Sequence, residues 1–406
     1  MLTEWIRSHP PSSTFLISRE GELTYGDLLA TPPPDGPGQH IVEPGGTVGS
    51  VVRLMTVPGH GRQMVLIDPT LPAEEKQRRA AVAKAAATQS AATILFTSGT
   101  TGPAKGVRLT ESNWAAAARA SAAHLAHTAD DVWLAAMPLH HVGGLSILYR
   151  SAFVGASVRW LPRFDVAAVS EAMRGDVTIV SLVPTMLRRV LDHDDDDYRD
   201  LKAVLVGGGP IPPGLIEEAH ARGMPALPTY GMTETCAQVA TLRPGTGPRY
   251  AAHPLPGIEV RIVDERIHLR GAQISPGYAG EPDRSPDEWF VTPDRGIVDD
   301  DGALRVIGRA DRIVVTGGEN VDPGRVEAVL VTHPGVREVA LVGVADREWG
   351  ERLVGVYVGD VEPISVRAWA SERLAPYEVP RELRRVDEIP TAGGGKPDRD
   401  AVRDFF

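Results

Sequence analysis

The sequence predicts an α/β fold, with a large N-terminal domain built on mostly parallel sheets and a small α+β C-terminal domain. In the middle of the chain, apolar runs rich in β-branched residues alternate with helix-forming segments, a pattern typical of parallel sheets flanked by helices. Glycine-rich loops follow several of these runs. After about residue 310 the pattern changes to a compact unit of helices and hairpin strands. We therefore predict domains at residues 1–310 and 311–406.

The first ninety residues show little regular pattern. Residues 31–38, TPPPDGPG, exclude a helix or a central strand because proline fixes φ and removes a backbone donor. Residues 73–87 are rich in strong helix formers and follow Asp68-Pro69, which favours a helix there. Apart from this helix we expect the region to be irregular.

A regular alternation of strands and helices begins at residue 93. TILF (93–96) predicts a strand that runs into a glycine loop, and residues 111–126 predict a helix. Similar patterns predict buried strands at 177–184, 202–210 and 224–231, and a helix at 214–223. Ligands of such sheets collect at the carboxyl ends of the strands. The glycine loops that follow the strands are therefore expected to share one site.

The C-terminal unit begins with a well-marked helix at residues 322–335. Asp322 can cap it, Pro323 suits its first turn, and Pro334-Gly335 end it. Residues 336–359 predict two strands joined by a polar loop, and residues 365–374 predict a second helix. The tail that follows contains a glycine-rich loop with one lysine, Lys396.

Composition excludes several classes of protein. The net charge of −11 argues against a duplex nucleic-acid partner and gives no attraction to anionic membranes. One cysteine, Cys236, excludes an internal disulfide and a cysteine-based zinc cluster, and fits a reducing compartment. No run is apolar for long enough to span a bilayer, and the N-terminus lacks a signal-peptide pattern. We expect a cytoplasmic protein.

The loop after the first of these strands has the composition of a phosphate site. TSGTTGPAK (97–105) can turn several backbone amides and hydroxyls toward one point, and Lys105 adds a positive charge. The spacing is not that of the Walker motif. An ordinary glycine-rich turn is the alternative, but it would not call for an unbroken run of hydroxyl and glycine residues together with a lysine.

An ordered set of motifs resembles the adenylate-forming superfamily, which includes acyl- and aryl-CoA ligases, carrier-protein-loading adenylation domains and luciferases. The motifs are TSGTTGPAKGV (97–107), PLHHVGGL (138–145), VGGGP (206–210), YGMTET (230–235), WFVTPD (289–294), GRADRIVVTGGENV (308–321) and PTAGGGK (390–396). The resemblance covers residues 93 to 400. It implies an enzyme that uses ATP and magnesium to form an acyl-adenylate, with a mobile C-terminal domain.

The resemblance also implies a nucleotide site. Its members are Thr97, Ser98, Gly99, Thr100, Thr101, Lys105, Gly208, Gly209, Tyr230, Gly231, Asp294 and Arg309. In such enzymes the residue at Tyr230 stacks by adenine, Thr233 meets the α-phosphate and Glu234 holds Mg²⁺. Asp294 and Arg309 would contact the ribose, although Pro293 replaces the glycine that the family has before this aspartate.

The remaining implied residues serve catalysis and domain movement. Lys396 would contact both the acid and the phosphate, and its charge would stabilise the adenylation transition state. Rotation about Asp311 would then replace Lys396 by a face containing Gly317 and Gly318, which would line the path of coenzyme A. His141 would lie at the edge of the acid pocket, which Gly208 would also line.

Three residues or regions near these motifs have simpler explanations or depart from the family. His140 is expected to be structural, and Cys236 is expected to be a small buried residue rather than a nucleophile. The segment before the phosphate loop is shorter than in most of the family. This could narrow the acid pocket or move part of its wall to a partner chain.

Two stretches resemble one branch of the superfamily, the o-succinylbenzoate–CoA ligases of menaquinone synthesis. They are YGMTETCAQVATL (230–242) and VVTGGENVDP (314–323). A dicarboxylate needs a partner for its second carboxylate, and Thr235 or Gln238 could provide one. Open alternatives are another aryl- or fatty-acid CoA ligase, an adenylation enzyme that loads a separate carrier protein, and a non-catalytic nucleotide-binding relative. The family also suggests a homodimer.

Overall fold

The computed structural model of the 406-residue chain describes residues 1–32, 34–59, 61–97, 104–193, 197–198, 200–317, 319–392 and 396–406. Within these ranges the side chains of residues 311, 320, 392 and 396 lie outside the description.

The helices alternate with strands over most of the chain. They are α1 (Leu2–Arg7), α2 (Tyr25–Ala30), α3 (Val48–Gly59), α4 (Ala73–Lys84), α5 (Glu111–Leu125), α6 (Val142–Val154), α7 (Val166–Arg174), α8 (Pro184–His193), α9 (Leu215–Ala221), α10 (Pro323–Leu330), α11 (Pro363–Ser371) and α12 (Arg399–Arg403). Short 3₁₀ turns cover Thr233–Thr235 and Ala310–Arg312. Among the residues described, no helix combines the length and the apolar character needed to cross a membrane.

The described strands form three sheets in the large domain, and one five-stranded and one two-stranded sheet in the small domain. They are β1 (Thr14–Ser18), β2 (Gly21–Thr24), β3 (Gln39–Val42), β4 (Gln63–Leu66), β5 (Thr93–Thr97), β6 (Lys105–Leu109), β7 (Val132–Ala135), β8 (Ser157–Trp160), β9 (Ile179–Leu182), β10 (Ala203–Val206), β11 (Ala226–Met232), β12 (Ala237–Thr241), β13 (His253–Pro254), β14 (Glu259–Val263), β15 (Arg266–Arg270), β16 (Gly277–Tyr278), β17 (Phe290–Val298), β18 (Leu304–Arg309), β19 (Val314–Thr316), β20 (Glu319–Val321), β21 (Val336–Asp346), β22 (Gly350–Gly359), β23 (Glu382–Arg385), β24 (Thr391–Ala392) and β25 (Lys396–Pro397).

A nine-stranded sheet forms the centre of the large domain, in the order β13-β12-β11-β10-β9-β7-β8-β1-β2. Its six strands from β11 to β1 are parallel, and antiparallel strands lie at both edges. Successive residues point to opposite faces. Trp133 packs into the cluster that contains Trp114 and Leu145, and Leu134 packs into the cluster that contains Leu187 and Ile216. The sheet is therefore covered by helices on both faces, as the sequence predicts.

Two smaller sheets complete the large domain. One has the order β16-β6-β5-β4-β3, and the other has the order β14-β15-β17-β18. Strand β5 pairs antiparallel with β6, so the predicted phosphate loop connects two neighbouring strands of the first of these sheets. The return of β16 onto β6 brings residues 277–278 back to the same hairpin.

Helix starts follow the expected chemistry. Thr110 caps α5, and its side chain and that of Asn113 each accept a hydrogen bond from the other's backbone N–H. Asp322 caps α10 by accepting from Gly324 N, and Pro323 occupies the first turn. The expected small domain is confirmed in its elements, because β21 and β22 form a long hairpin that packs against α10 and α12.

The expectation of an irregular first ninety residues is wrong. The described residues of this region form four helices and four strands, and β1 joins the central sheet through parallel pairing with β8. Its strands are only four or five residues long. Strand β1 pairs with its neighbour β2 and with the distant β8, and β3 pairs with β4. Strands this short depend on their partners for stability, so their own sequences carry little signal.

Candidate functional site

The predicted phosphate loop connects the end of β5 to the start of β6. Thr97 is the last residue of β5 and pairs with Lys105, the first residue of β6. The backbone thus fixes both ends of the loop across one antiparallel ladder. Residues 98–103 lie outside the described residues, so the roles of Ser98, Gly99, Thr100 and Thr101 stay predictions.

The segment YGMTET forms the end of β11 and a tight turn. Tyr230, Gly231 and Met232 lie in β11, and Thr233–Thr235 make a 3₁₀ turn before the chain returns as β12. A Cβ atom on Gly231 would lie 1.6 Å from the carbonyl oxygen of Ala237. Glycine is therefore required because the two strands approach each other too closely for any side chain.

Three predicted nucleotide residues come together on one side of this turn. The hydroxyl of Tyr230 donates to Asp294 Oδ2 at 2.7 Å. Asp294 lies opposite Arg309 in the β17–β18 ladder, and Arg309 Nε is 4.0 Å from Asp294 Oδ1. Burial, and then the Asp294 carboxylate, raise the pKa of Tyr230, so the phenol keeps its proton. The arrangement places an aromatic ring, a carboxylate and a guanidinium side by side, although these residues lie far apart in the sequence.

Tight backbone packing shapes the loop after β10. A Cβ on Gly207 would lie 2.5 Å from the carbonyl oxygen of Thr229, next to Tyr230. Gly208 has a φ of +79°, which favours glycine. The loop therefore lies against β11, close to the nucleotide-side residues, and the adenine role of Gly208 and Gly209 stays a prediction.

Glu234 presents a half-buried carboxylate in the 3₁₀ turn. Its Oε1 accepts a hydrogen bond from the hydroxyl of Tyr278 at 2.9 Å. No hydrogen bond to Oε2 is found in the part of the chain that the structure describes. This arrangement fits Mg²⁺, which is commonly held by one or two carboxylates together with phosphate oxygens and water. The residues present are thus compatible with the predicted metal role of Glu234.

His141 is the N-cap residue of α6, and its neighbour His140 packs against it. The two rings are 4.3 Å apart between centroids. His140 Nε2 lies 3.5 Å from Asp68 Oδ2, and burial lowers the pKa of His140 despite this carboxylate. His140 thus links the loop after β4 to the start of α6, which fits a structural role.

The structure gives other partners to two residues that we expected to bind the second carboxylate. Gln238 is buried; its Oε1 accepts from Ser121 Oγ at 2.9 Å and its Nε2 donates to Thr241 Oγ1. The Thr235 hydroxyl accepts from Met232 N at 3.0 Å and lies 2.8 Å from the carbonyl oxygen of Ala237. The Thr235 hydroxyl therefore holds the β11–β12 turn, and the Gln238 side chain joins β12 to α5. Neither side chain fits the expected pocket role.

Arg150 is a site candidate that sequence reasoning missed. It lies on α6, two and a half turns after His141, and only 4% of it is exposed. Among the described residues its one hydrogen bond goes to the carbonyl oxygen of Cys236, at 3.5 Å, and its Nε has no partner. The guanidinium lies 5.9 Å from the centroid of the Trp133 ring. Burial lowers its pKa to about 10, so it is charged at neutral pH.

The sequence contained one signal for Arg150. It is an arginine in a helix that starts next to His141, a predicted pocket residue. Apart from Arg150, the polar residues of helix α6 are two serines and a tyrosine, so a charge at this position needs an explanation. Cys236 itself is fully buried, and burial raises the pKa of its thiol. A small buried residue, rather than a nucleophile, fits this environment.

The small-domain residues are only partly described. Lys396 starts β25, but its side chain and residues 393–395 lie outside the description, as does the side chain of Asp311. Gly317 has a φ of +60° and packs against the Trp349 ring, and Gly318 is outside the described residues. The catalytic, hinge and coenzyme A roles of these four residues therefore stay predictions.

Comparison with known families assigns this chain. A family described as "AMP-binding enzyme" matches residues 43–279, more than half of the chain. The chain belongs to the AMP-binding enzyme family. The family's C-terminal domain also matches, over residues 325–396. The resemblance to adenylate-forming enzymes is confirmed by these matches.

Curated relatives point to one group of AMP-binding enzymes. The chain is 39% identical over 326 residues to a 2-succinylbenzoate–CoA ligase of Bacillus licheniformis, a match that covers 75% of this chain and 68% of the relative. It is 40% identical over 326 residues to the ligase of the same name from Geobacillus kaustophilus, covering 74% of this chain and 66% of the relative.

Solved structures confirm the fold class. The o-succinylbenzoate CoA synthetase of Bacillus subtilis in complex with its acyl-adenylate intermediate matches with a TM-score of 0.86 and 27% identity, over 98% of this chain and 97% of the other. The same enzyme with ATP and magnesium ion matches with a TM-score of 0.87, also at 27% identity, over 99% of both chains. The predicted α/β architecture of a large and a small domain is that of this family.

Proposed function

We propose that the protein joins o-succinylbenzoate to coenzyme A, using ATP and an acyl-adenylate intermediate, in menaquinone biosynthesis. Relatives that are 39 and 40% identical to it over 326 aligned residues are named for this reaction. The Bacillus subtilis enzyme with the same fold has been solved with the acyl-adenylate and with ATP and magnesium ion. ATP and coenzyme A are the co-substrates, and Mg²⁺ is the cofactor.

The buried guanidinium of Arg150 is the observation that carries the dicarboxylate assignment. A buried charge without a counter-ion is costly, and a carboxylate is the usual complement of arginine. No carboxylate among the described residues forms an ion pair with Arg150. Its guanidinium contacts the carbonyl oxygen of Cys236, the residue that ends the turn containing Glu234. We propose that the second carboxylate of the acid completes this charge pair.

Adenylation requires a carboxylate to attack the α-phosphate of ATP and to release pyrophosphate. Both reactants are anions, so the enzyme must position them and offset their charge. We assign the nucleoside to Tyr230, Asp294 and Arg309, and the α-phosphate to the Thr233 hydroxyl. When bound to Glu234, Mg²⁺ would neutralise charge on the phosphates. Lys396 would bring its ammonium to the oxygens where charge develops.

The second half-reaction transfers the acyl group to the thiol of coenzyme A and releases AMP. A small domain that rotates about Asp311 would remove Lys396 and admit the thiol along Gly317 and Gly318. We place the reaction in the cytoplasm, because ATP and coenzyme A are available there and the chain has one cysteine, Cys236.

A panel of acids with coenzyme A consumption as the readout tests the proposal. The panel contains o-succinylbenzoate, the two monoacids that each lack one of its carboxyl groups, benzoate, and a medium-chain fatty acid. We expect turnover of the diacid to exceed that of every monoacid by at least about 100-fold in kcat/KM, the size of one charge-assisted pair. Equal turnover of the monoacids would contradict the substrate assignment, and acid-dependent pyrophosphate exchange without coenzyme A consumption would indicate a carrier-protein acceptor.

A further inference from the structure

Residues 273–278 hold the turn that contains Glu234. Ser275 N donates to the carbonyl oxygen of Glu234 at 2.8 Å. The Gln273 side chain donates to the carbonyl oxygen of Thr235 at 2.9 Å. Two separate hydrogen bonds thus fix the backbone of the turn from the segment that leads to β16.

The same segment is attached to the strand that follows the phosphate loop. Strand β16 pairs antiparallel with β6, with Tyr278 opposite Val107. Arg108 on β6 is fully buried; its Nε donates to the carbonyl oxygen of Tyr278 at 3.1 Å, and its own carbonyl oxygen accepts from Ser275 Oγ at 2.7 Å. The backbone of Tyr278 is therefore held on both sides, and its ring has a defined position.

The side chain of Tyr278 connects two predicted site residues. Its hydroxyl donates to Glu234 Oε1 at 2.9 Å, and Lys105 Nζ lies 4.8 Å from the centroid of its ring. Tyr278 thus contacts the Glu234 carboxylate through its hydroxyl and the Lys105 ammonium through the face of its ring.

We propose that Tyr278 is a positioning residue that sets the orientation of the Glu234 carboxylate for Mg²⁺ and the position of Lys105 beside the phosphate loop. The hydrogen bond occupies Oε1 and restricts rotation of the carboxylate, which leaves Oε2 for the metal. Residues that orient a metal ligand in this way affect metal affinity about 10- to 100-fold when they are replaced. The inference rests on the proposed function for one point only, that Glu234 binds Mg²⁺.

Tyr278→Phe separates the hydroxyl from the ring. We expect the variant to bind Mn²⁺ in the presence of ATP about tenfold more weakly, measured by electron paramagnetic resonance of free Mn²⁺. Binding of ATP without metal should stay within about twofold, because the ring still contacts Lys105. In pyrophosphate exchange, the Mg²⁺ concentration for half-maximal rate should rise about tenfold, with the maximal rate recovered at high Mg²⁺.

A second variant and a matched control complete the test. Tyr278→Leu removes ring and hydroxyl, and should in addition weaken metal-free ATP binding, since Lys105 loses its aromatic contact. Tyr250→Phe is the control: it also removes a hydroxyl that contacts a carboxylate, Glu217 Oε2 at 2.6 Å, but between a loop and α9. It should change neither metal nor ATP binding.

Unchanged Mn²⁺ affinity in Tyr278→Phe would overturn the inference, as would a fall in maximal exchange rate that high Mg²⁺ does not restore. The Mn²⁺ measurement needs no acid. If the wild type turned over none of the acids in the panel while Tyr278→Phe still weakened Mn²⁺ binding, the proposed substrate would fail and the positioning role would stand.

Discussion

Replacing Arg150 by methionine is expected to make the free protein more stable and a poorer enzyme. In the free protein the guanidinium is buried, with one long hydrogen bond of 3.5 Å and no ion pair among the described residues. Methionine has a similar length and no charge to desolvate. Replacement of a buried ion pair by well-packed apolar residues is often neutral or stabilising by about 1–4 kcal/mol, and a buried charge without an ion-pair partner has no such attraction to lose. We therefore expect the free energy of unfolding of the large domain to rise by about 1–3 kcal/mol, and its Tm by a few degrees.

The same change should remove the partner of the second carboxylate. A hydrogen bond to a charged group contributes about 1.5–3 kcal/mol, and an unpaired carboxylate left in a closed pocket adds to that loss. We expect kcat/KM for o-succinylbenzoate to fall by about 100-fold, which corresponds to about 3 kcal/mol. The rate with whichever monoacid the wild type accepts should change by less than about threefold, because that acid has no second charge to pair.

Calorimetry and acid-dependent pyrophosphate exchange measure the two effects. Arg159→Met is the matched control, since Arg159 forms a two-fold hydrogen-bonded pair with Asp176 at the surface, at 2.8 and 2.6 Å. It should lose at most about 1 kcal/mol of stability and leave acid selectivity unchanged. Destabilisation of the Arg150→Met protein by several kcal/mol, or equal losses with the diacid and the monoacid, would refute the reasoning.

Three further predictions follow from other parts of the structure. Gly231→Ala places a Cβ 1.6 Å from the carbonyl oxygen of Ala237, so it should lower Tm markedly and abolish ATP binding. Gly247→Ala is the control and should do neither, because no atom lies within 4 Å of its new Cβ. Normal ATP binding by Gly231→Ala would contradict this account of the turn. Burial lowers the pKa of His127 to about 4 from 6.5, so between these pH values the unfolded chain binds a proton and the folded protein does not. The free energy of unfolding should therefore fall by up to about 3 kcal/mol as pH falls from about 6.5 to about 4. His127→Phe should flatten that part of the stability profile in urea titrations at a series of pH values, and an unchanged slope would show that other groups cause it. Lys396→Ala should abolish adenylation while sparing thioester formation from supplied acyl-adenylate, and equal loss of both steps in rapid-quench assays would contradict an exchange of domain faces.

Local patterns were sufficient for elements whose signals lie within one segment. The run 93–96 predicted β5, and Asp322 with Pro323 predicted α10, because apolar runs, caps and proline act over a few residues. Motifs that resemble a family were sufficient for the family and the fold class. The four short strands of the first ninety residues were missed because each is only four or five residues long and depends on its partner strands, as β1 depends on β2 and on the distant β8.

The sequence by itself determined which residues could meet a nucleotide, because glycine, threonine, lysine and glutamate occur there in an ordered set of motifs. Only the tertiary structure decided which side chains are available to contact a ligand. It used the hydrogen bonds of Gln238 and Thr235 within the protein, and it left the charge of Arg150 without an ion-pair partner among the described residues. The physical reason is that a donor, an acceptor or a charge acts through its neighbours in space, and the pairing of distant strands and helices sets those neighbours.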